Sequence, residues 1–458
     1  MDRGAHPMTT RLFCPEARLP EGWRSDVVLT VEDGGIVGVE AGQAAGDATR
    51  LPGPVVPGMP NAHSHAFQWA MAGLAEHAGA EPDSFWTWRE TMYRVALSLD
   101  ADAIEAIATM LYVEMLEAGY TRVAEFHYLH HQPSGAPYAE PAELALRIGK
   151  AAGEAGIGLT LLPVLYAHAG FGGQAPRPEQ RRFLHRPEGI LRVAETAQRA
   201  LPRARVGLAF HSLRAVTPEE LRATLEGLAG DVPVHLHLAE QQAEVDEAVR
   251  VLGARPAAWL AENVALSPRW SLVHATHLDD REVRALAESG ATVVLCPTTE
   301  ANLGDGVFPG EAFLGAGGRV AIGSDSHVIV DPADELRTLE GGQRLLAERR
   351  NVLRVGAPPH HVGAGLWETA AAGGAAALGV ATGRLALGQR ADLVVLDDAH
   401  PRLLAREGDA RLDTFVLAGQ RGLVREVWVD GERVVAEGRH RARDAVRARW
   451  AALAGRLA

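Results

Sequence analysis

The feature that most constrains this fold is a regular alternation of short apolar segments with alanine- and glutamate-rich segments through the middle of the chain. The apolar segments are typical of buried strands, and the segments between them are typical of helices. The candidate strands are Val55–His63, Thr121–Tyr128, Gly158–Tyr166, Arg205–His211, Val232–Ala239, Trp270–His274, Ala291–Pro297 and Arg319–Ser324. The candidate helices include Ala101–Ala118, Glu140–Ala155, Pro218–Leu228, Arg281–Ser289 and a closing helix at Glu368–Leu378. Eight parallel strands with helical connections close into an α/β (β/α)8 TIM barrel, which is the fold class we predict.

Both ends of the chain have a different sequence pattern, in which short β-like runs are separated by Gly, Pro and Asp turns. Neither end is long enough to form a stable sheet alone, so we expect the two ends to pair into one small β-sandwich domain. The predicted organisation is 1–57 for the N-terminal part of this domain, 58–380 for the barrel, and 381–458 for its C-terminal part with a terminal helix. The runs are Arg11–Cys14, Asp26–Val31, Gly35–Val39, Ala391–Leu396, Asp413–Leu417, Val424–Val429 and, after an Asp-Gly hairpin signal, Glu432–Val435.

The composition excludes several classes of protein. Apolar residues make up 47% and charged residues 22% of the 458 residues, as in an ordinary globular protein. No apolar run approaches the roughly 18 residues that a membrane span needs. The first residues, Met1–Pro7, lack the apolar core of a signal peptide, so we expect a cytoplasmic protein. Cys14 and Cys296 lie far apart without metal-ligand spacing, and we interpret both as reduced thiols.

The net charge restricts the partners. A formal charge of −13 makes nucleic acid or an anionic membrane an unfavourable partner. An anionic small substrate must therefore be bound by a local cluster of arginine or histidine.

Polar side chains gather at the ends of the predicted strands, where barrels of this type carry their catalytic groups. His63 and His65 share one face of a strand and lie about 7 Å apart, so both imidazoles can reach one cation. His237 lies closer to the barrel mouth than His235 on the same face and is the better third ligand. Asp325 offers a carboxylate at the last strand. Three imidazoles and one carboxylate leave room for a bound water, which is typical of a catalytic metal site. Further polar residues at strand ends are His127, Tyr128, His211, Glu240, His274, Ser324 and Ser326.

The lysine content bears on the number of metal ions. Two-metal sites in barrels of this kind commonly need a bridging ligand, often a carbamylated lysine at a strand end. Lys150 is the only lysine in the chain, and it falls in a predicted helix away from any strand end. We therefore predict a mononuclear site.

The residues around the predicted metal site also suggest a reaction. A metal bound by neutral histidines lowers the pKa of its water towards about 7. Asp325 can accept a proton from that water, and His274, which is not needed as a ligand, can hold the water by a hydrogen bond. Glu240 can carry a proton to a departing nitrogen. This set suits hydrolysis at a trigonal carbon that bears an amine-type leaving group.

These motifs resemble the metal-dependent amidohydrolase superfamily, in its mononuclear deaminase branch. The resemblance rests on His63-Ser-His65, His237-Leu-Ala-Glu240, His274 and Gly323-Ser-Asp325, and it covers nearly the whole chain. Within that branch the chain is similar to the iminohydrolases of histidine degradation. The similar segments are Asn61–Gln68, Phe85–Arg89, Phe126–Tyr128, His211–Arg214 and Cys296–Gly306. The resemblance implies one Zn²⁺ per chain, although Fe²⁺ suits the same ligands, and it suggests a homodimer.

Substrate recognition is expected from Arg89, Arg214, Tyr128 and His211, with Gln68 nearby. A guanidinium matches a carboxylate with two hydrogen bonds, so two arginines at one pocket indicate a small dicarboxylate. Arg214 follows a strand-end histidine, whereas Arg89 is assigned by the resemblance. The resemblance implies N-formimidoyl-L-glutamate as substrate, with N-formyl-L-glutamate and ammonia as products. The segment from Pro82 to Arg89 is expected to cap the mouth of the barrel.

Several alternatives stay open at this point. Arg214 could pair with Glu219 or Glu220 instead of a substrate. A deaminase of a purine, pterin or other heterocycle would share the metal ligands, although its pocket should carry stacking groups and amides instead of two arginines. A barrel that has lost its chemistry is a more distant alternative, against which Glu240, His274 and Asp325 argue.

Overall fold

The computed structural model describes residues 9–77, 84–356 and 358–457. Within them, eight parallel strands follow one another in chain order around a nearly closed barrel, which confirms the predicted fold class. We number these barrel strands one to eight: Met59–Ser64, Tyr120–His127, Gly158–Leu165, Leu208–Ser212, Val234–Leu238, Trp270–His274, Thr292–Leu295 and Arg319–Ile322. A two-residue strand, Arg205–Val206, pairs with barrel strand three.

The barrel closes where the chain after strand eight meets the end of strand one. Ser64 and Asp325 form a parallel bridge there. The backbone N–H of Asp325 donates to the carbonyl of His63 at 3.0 Å, and the N–H of His65 donates to the carbonyl of Asp325 at 3.2 Å. The closure therefore brings together the segments that carry two histidines and the aspartate of the predicted metal site.

Helices connect the barrel strands and pack against them. The predicted helix Ala101–Ala118 has the same ends in the structure: the Asp100 side chain accepts the N–H of Ala103, and Gly119 ends the helix with φ 104°. The closing helix begins at Val362, earlier than predicted, and ends at Leu378. The α-helices are Phe85–Ser98, Ala101–Ala118, Glu143–Ala155, Pro187–Ala200, Pro218–Glu226, Gln242–Leu252, Pro256–Asn263, Asp280–Ser289, Pro297–Leu303, Gly310–Gly315, Pro332–Ala347, Val362–Leu378, Asp409–Asp413 and Arg443–Leu457. Short 3₁₀ helices span Ala66–Met71 and Pro178–Gln180.

The two chain ends build a second, mostly antiparallel sheet beside the barrel. Its strands form one continuous sheet, with Val55–Pro57 pairing with Leu393–Leu396 where the N-terminal and C-terminal parts meet. The strands are Thr10–Leu19, Gly22–Glu32, Gly35–Glu40, Thr49–Arg50, Val55–Pro57, Leu393–Leu396, Val424–Val429, Glu432–Ala436 and Arg439–His440. The prediction of a β run at Asp413–Leu417 is wrong. This segment is helical, with a π-helical turn over Thr414–Ala418, and the rings of Phe415 and Trp367 pack with their centres 5.2 Å apart. A short apolar run of this kind fits a buried helix as well as a buried strand.

The predicted first strand, Val55–His63, is divided between the two sheets. Val55–Pro57 belongs to the small sheet, and Met59–Ser64 is barrel strand one. Gly58 lies at the break, and its N–H donates to the carbonyl of Asp392 at 3.0 Å. A Cβ at Gly58 would lie 2.3 Å from a methyl carbon of Thr121, so a side chain at this position would clash with barrel strand two.

Buried charges join the barrel to the small sheet. Arg122, on barrel strand two, donates from Nη2 to Asp392 at 3.2 Å and also contacts Asp430. A large apolar core fills the barrel and its helices, and a smaller one lies within the sheet of the chain ends. None of the helices in the described ranges combines the length and apolar character that crossing a bilayer would need. Residues 1–8, as well as Pro82 and Asp83 of the predicted cap, lie outside the described residues.

Candidate metal centre and substrate pocket

Four buried ligand atoms converge at the mouth of the barrel. Nε2 of His63 lies 3.0 Å from Nε2 of His65 and 3.0 Å from Nε2 of His237. Oδ1 of Asp325 lies 3.3 Å from Nε2 of both His63 and His65. A tetrahedral ion with ligand bonds of about 2.0–2.1 Å requires ligands about 3.3 Å apart. The cluster therefore fits one divalent metal ion, with the four residues expected from the sequence.

The ring orientations support this use of the nitrogens. Nδ1 of His65 lies 3.1 Å from the carbonyl of Phe126, and Nδ1 of His237 lies 2.8 Å from the carbonyl of His211. Because a carbonyl can only accept, each Nδ1 carries the proton and each Nε2 presents its lone pair to the cluster. Burial lowers the pKa of all three histidines, which keeps them in the neutral form that binds a metal.

The barrel seam positions Asp325. A Cβ at Gly323 would lie 2.6 Å from the Cβ of His63, so glycine permits the eighth strand to approach the first at this point. Asp325 itself has φ 48°, a left-handed conformation that is uncommon for a residue with a side chain. The backbone turns immediately after the strand, and the turn directs the carboxylate to the ligand cluster.

Three further polar residues adjoin the cluster. Nε2 of His274 lies 3.7 Å from Oε1 of Glu240 and 3.9 Å from Oδ2 of Asp325. On the opposite edge of the same ring, Nδ1 lies 3.2 Å from Oε1 of Glu300. Glu240 follows barrel strand five and His274 ends strand six, so both side chains reach the same mouth as the metal ligands.

The pKa values of this group suit proton transfer. Burial raises the pKa of the Glu240 carboxyl to about 7, against the opposing charges of His274 and Arg214. Burial alone would lower the pKa of His274, but Glu240, the hydrogen bond to Glu300 and the charge of Asp325 raise it to about 10. A carboxyl with a pKa near neutral can both accept and donate a proton at physiological pH.

A pocket opens directly on this cluster and contains all five predicted substrate-binding residues. Nε2 of Gln68 donates to the hydroxyl of Tyr128 at 2.7 Å, and the Oε1 of the same amide is buried without a partner among the described residues. Aromatic side chains form much of the remaining wall. The pocket lining includes Gln68, Arg89, Tyr128, His211, Arg214, Glu240, Phe85, Trp88, Tyr93 and Tyr166.

Arg89 enters the pocket from the helix Phe85–Ser98, the described part of the predicted cap. Its guanidinium lies 4.5 Å from the ring centre of Trp86 and 5.5 Å from that of Tyr93. Its Nε is buried and has no hydrogen-bond acceptor among the described residues. The aromatic faces hold the cation without using its N–H donors, which stay available to an anion.

Arg214 faces two carboxylates at longer range. Its Nη2 lies 3.9 Å from Oε2 of both Glu240 and Glu244, and its buried Nε has no acceptor among the described residues. The alternative pairing with Glu220 is not what the structure shows, because the Glu220 carboxylate contacts Nε2 of His168 at 3.0 and 3.1 Å. Arg214 therefore lies beside Glu240 in the wall of the pocket.

Two histidines at or near predicted strand ends lie away from the ligand cluster. His127 packs against His130, with ring centres 5.4 Å apart, and is not among the residues that line the pocket. His235 points to the carbonyl of Ala377, 2.8 Å from its Nε2. These positions agree with the prediction that His237, and not His235, is the third ligand.

Sequence reasoning missed Glu300, Glu244 and Trp86. Glu300 lies in the segment Cys296–Gly306 that supported the resemblance, but its contact with His274 joins the helix after barrel strand seven to the end of strand six. Glu244 accepts the backbone N–H groups of Ala239 and Glu240, both at 3.3 Å. The signal available for these residues was their closeness in the chain to strand ends, which does not by itself distinguish a buried carboxylate from a solvated one.

Comparison with known proteins gives consistent relatives. The pattern of the family described as "Amidohydrolase family" matches residues 55–434. The chain is 54% identical over 432 residues to the formimidoylglutamate deiminase of Pseudomonas aeruginosa, covering 94% of this chain and 95% of that protein. It is 32% identical to a 5-methylthioadenosine/S-adenosylhomocysteine deaminase of Haloarcula marismortui, covering 83% of this chain and 82% of that protein. The crystal structure of an amidohydrolase from Brucella melitensis superposes with a TM-score of 0.92 at 46% identity, covering 98% of this chain and 99% of that chain.

Proposed function

Because this chain belongs to the amidohydrolase family, we propose that it hydrolyses the linear amidine of N-formimidoyl-L-glutamate to N-formyl-L-glutamate and ammonia. The observation that carries the proposal is one pocket that joins the four-ligand cluster to Arg89 and Arg214, each of which has a buried Nε without an acceptor among the described residues. The relative from Pseudomonas aeruginosa, which is named a formimidoylglutamate deiminase, supports the same substrate.

One Zn²⁺ per chain is the metal content we propose, and Fe²⁺ suits the same ligand set. His63, His65, His237 and Asp325 would hold the ion, and the ion would lower the pKa of a water molecule so that hydroxide is available near neutral pH. A single ion is supported by the position of Lys150, the one lysine in the sequence. Its Nζ pairs with Glu105 at 2.7 Å on the outer surface of a helix, where it has no role as a bridging ligand.

The surrounding residues divide the proton transfers. Asp325 accepts a proton from the attacking water, and His274 holds that water through Nε2. Glu240 passes a proton to the departing nitrogen, for which its pKa of about 7 is suited. The water oxygen forms a bond to the amidine carbon, the bond from that carbon to the terminal nitrogen breaks, and the nitrogen leaves as ammonia. The other nitrogen stays attached, which gives the N-formyl product.

The pocket accounts for a dicarboxylate substrate. Arg89 and Arg214 offer two separate cationic groups, and Tyr128, Gln68 and His211 offer polar contacts between them and the ligand cluster. A protein with a formal charge of −13 repels an anionic substrate at long range, so its affinity must come from these short contacts.

A heterocycle deaminase is the second candidate, and the aromatic wall of the pocket is the observation that favours it. Phe85, Trp88, Tyr93 and Tyr166 line the pocket, and aromatic side chains stack on flat rings. The relative from Haloarcula marismortui is named a 5-methylthioadenosine/S-adenosylhomocysteine deaminase. The buried Nε donors of Arg89 and Arg214 oppose this alternative, because a neutral heterocycle offers them no carboxylate.

The test is ammonia release by the metal-loaded protein from a panel of N-formimidoyl amino acids, adenosine derivatives, guanine and pterins. We expect the highest kcat/KM for N-formimidoyl-L-glutamate and a much lower value for N-formimidoyl-glycine, which lacks the second carboxylate. Preferred turnover of a nucleoside or base would replace the proposal with the second candidate. Release from no member of the panel would contradict both.

The role of each arginine can be tested by removing either the arginine or a substrate carboxylate. Arg214→Ala and Arg89→Ala should each lower kcat/KM by roughly 30- to several-thousand-fold, because truncating one partner of a buried charge pair costs about 2–5 kcal/mol. Arg→Lys should restore only part of the loss, since an ammonium lacks the two-pronged geometry.

Replacing one carboxylate of the substrate by an amide then shows which arginine binds that carboxylate. The wild type should lose far more activity on this change than the variant whose arginine pairs with that carboxylate. If both enzymes lose the same factor, that arginine does not contact that group. Arg177→Ala is the matched control, because Arg177 is a half-buried arginine outside the pocket lining that pairs with Glu90, which lies on the same helix as Arg89.

The proposal also includes a place in histidine degradation, a cytoplasmic location and a homodimer. The resemblance of the sequence motifs supports the place in histidine degradation and the homodimer, and all three points remain predictions.

A further inference from the structure

Glu300 is a buried carboxylate with a narrow set of partners. Its Oε1 accepts the backbone N–H of Cys296 at 2.8 Å and lies 3.2 Å from Nδ1 of His274. Among the described residues, His274 is its only ion-pair partner, and neither lysine nor arginine lies within ion-pair distance of it. The side chain is 7% exposed, so water does not replace these contacts. A buried carboxylate with one ionisable partner is costly unless that partner stays in place.

The contact determines how the His274 ring is presented. Because the carboxylate accepts, Nδ1 of His274 carries the proton, and Nε2 is the edge directed to Glu240 and Asp325. The ring also stacks on His237, with centres 5.5 Å apart and an angle of 11° between the planes. His274 and Ala275 have φ of 68° and 50°, so the backbone leaves the strand at this residue and the strand alone does not hold the ring.

We propose that Glu300 is a positioning residue for His274. By accepting from Nδ1–H it fixes the rotation of the imidazole ring, so that Nε2 faces the position of the reacting water. The same logic applies to histidines whose far nitrogen is oriented by a carboxylate in hydrolytic enzymes. The inference rests on the proposed role of His274 and adds a residue that acts only through it.

The first test is a double-mutant cycle. Glu300→Ala should lower kcat by about 10- to 100-fold, the usual effect of removing a partner that orients an active-site histidine, with little change in KM. In a His274→Asn background the same substitution should cost almost nothing further, because the residue it positions is already absent. Glu300→Gln should recover part of the loss, since its amide oxygen can accept from the same N–H groups.

The matched control is Glu335→Ala. Glu335 is also a buried carboxylate and binds the same helix, through the N–H of Thr298 at 2.9 Å and its hydroxyl at 2.6 Å, without contacting His274. If the Glu300 effect came from disturbing this helix, the two substitutions would lower kcat alike. Equal losses, or an additive cycle with His274→Asn, would overturn the proposal.

A second readout does not depend on turnover. In nitrogen-correlated proton NMR of histidine-labelled, metal-loaded protein, His274 should show a protonated Nδ1, with its signal identified by its loss in His274→Asn. That signal should change in Glu300→Ala and persist in Glu335→Ala. An unprotonated Nδ1 in the wild type would overturn the proposal. The NMR signal does not depend on which substrate the protein uses. A failure of the proposed function can therefore be distinguished from a failure of the positioning role.

Metal analysis separates the proposal from a competing use of the same residues. Ligand atoms of His274, Cys296 and Glu300 lie within 4.8 Å of one another, close enough for a metal site to be considered. We expect the metal content of Glu300→Ala to equal that of the wild type. Loss of one equivalent in Glu300→Ala and in Cys296→Ser would show that the three residues bind an ion, and the positioning role would be wrong.

Discussion

Replacement of His237 by alanine is expected to remove the metal and the activity together. Nε2 of His237 lies 3.0 Å from that of His63 inside the ligand cluster, and its ring is fixed by the carbonyl of His211. Without this nitrogen the remaining ligands no longer enclose the ion. Removing a single proton-transfer group lowers kcat by about 10²- to 10⁴-fold. The loss in His237→Ala should be larger, because the activation of water by the metal is lost as well. Elemental analysis of the purified protein and ammonia release measure the two effects.

His235→Ala is the matched control for this substitution. His235 lies on the same strand and is equally buried, but its Nε2 contacts the carbonyl of Ala377 instead of the cluster. The control should lose stability and keep its metal, with close to one equivalent per chain as in the wild type. Full metal content in His237→Ala would remove His237 from the ligand set, and a reproducible second equivalent needed for wild-type activity would contradict the mononuclear site.

Glu240→Gln is expected to retain the metal and to lose most of kcat. The nearest contact of the Glu240 carboxylate on the cluster side is His274 at 3.7 Å, and among the described residues Glu240 belongs to no close group of potential metal ligands. An amide of the same size cannot take up and release a proton, so we expect about a 10²- to 10⁴-fold fall in kcat. Ammonia release under saturating substrate and elemental analysis on the same preparation measure both quantities.

Glu247→Gln controls for the change in net charge, because Glu247 lies on the following helix and pairs only at 3.5 Å with Arg250. Its activity should match the wild type. An unchanged kcat in Glu240→Gln would exclude Glu240 from the proton transfers. A loss of metal in that variant would instead make Glu240 part of the metal site.

The sequence by itself determined the barrel and the residue types at its mouth. Apolar segments of strand length alternate with helical segments, and this pattern is local, so it predicts the strands from neighbours in the chain. The spacing of His63 and His65 follows from the two-residue period of a strand, and the same period put His237 closer to the mouth than His235. Parallel strands carry their last residues to one edge, which is why His274 and Asp325 were expected beside these histidines.

The division of the predicted first strand at Gly58 was decided by tertiary structure. Pro57 and Gly58 interrupt the apolar run from Val55, but turn residues alone do not show that the segments on either side join different sheets. The pairing of Val55–Pro57 with Leu393–Leu396 and the close approach of Thr121 to Gly58 decide it. The helical state of Thr414–Ala418 has a similar cause, because burial against Trp367 stabilises an apolar run without a strand partner.

The pairings around the site were also decided by tertiary structure. The seam between Ser64 and Asp325, the contact of Glu300 with His274, and the position of Arg214 beside Glu240 join residues 26 or more positions apart in the chain. Side-chain type and period show which face a residue occupies, but they do not show which carboxylate loses its water and which cation it meets. Burial and closure of the barrel make that choice, since a buried charge is tolerated only where a partner from another strand reaches it.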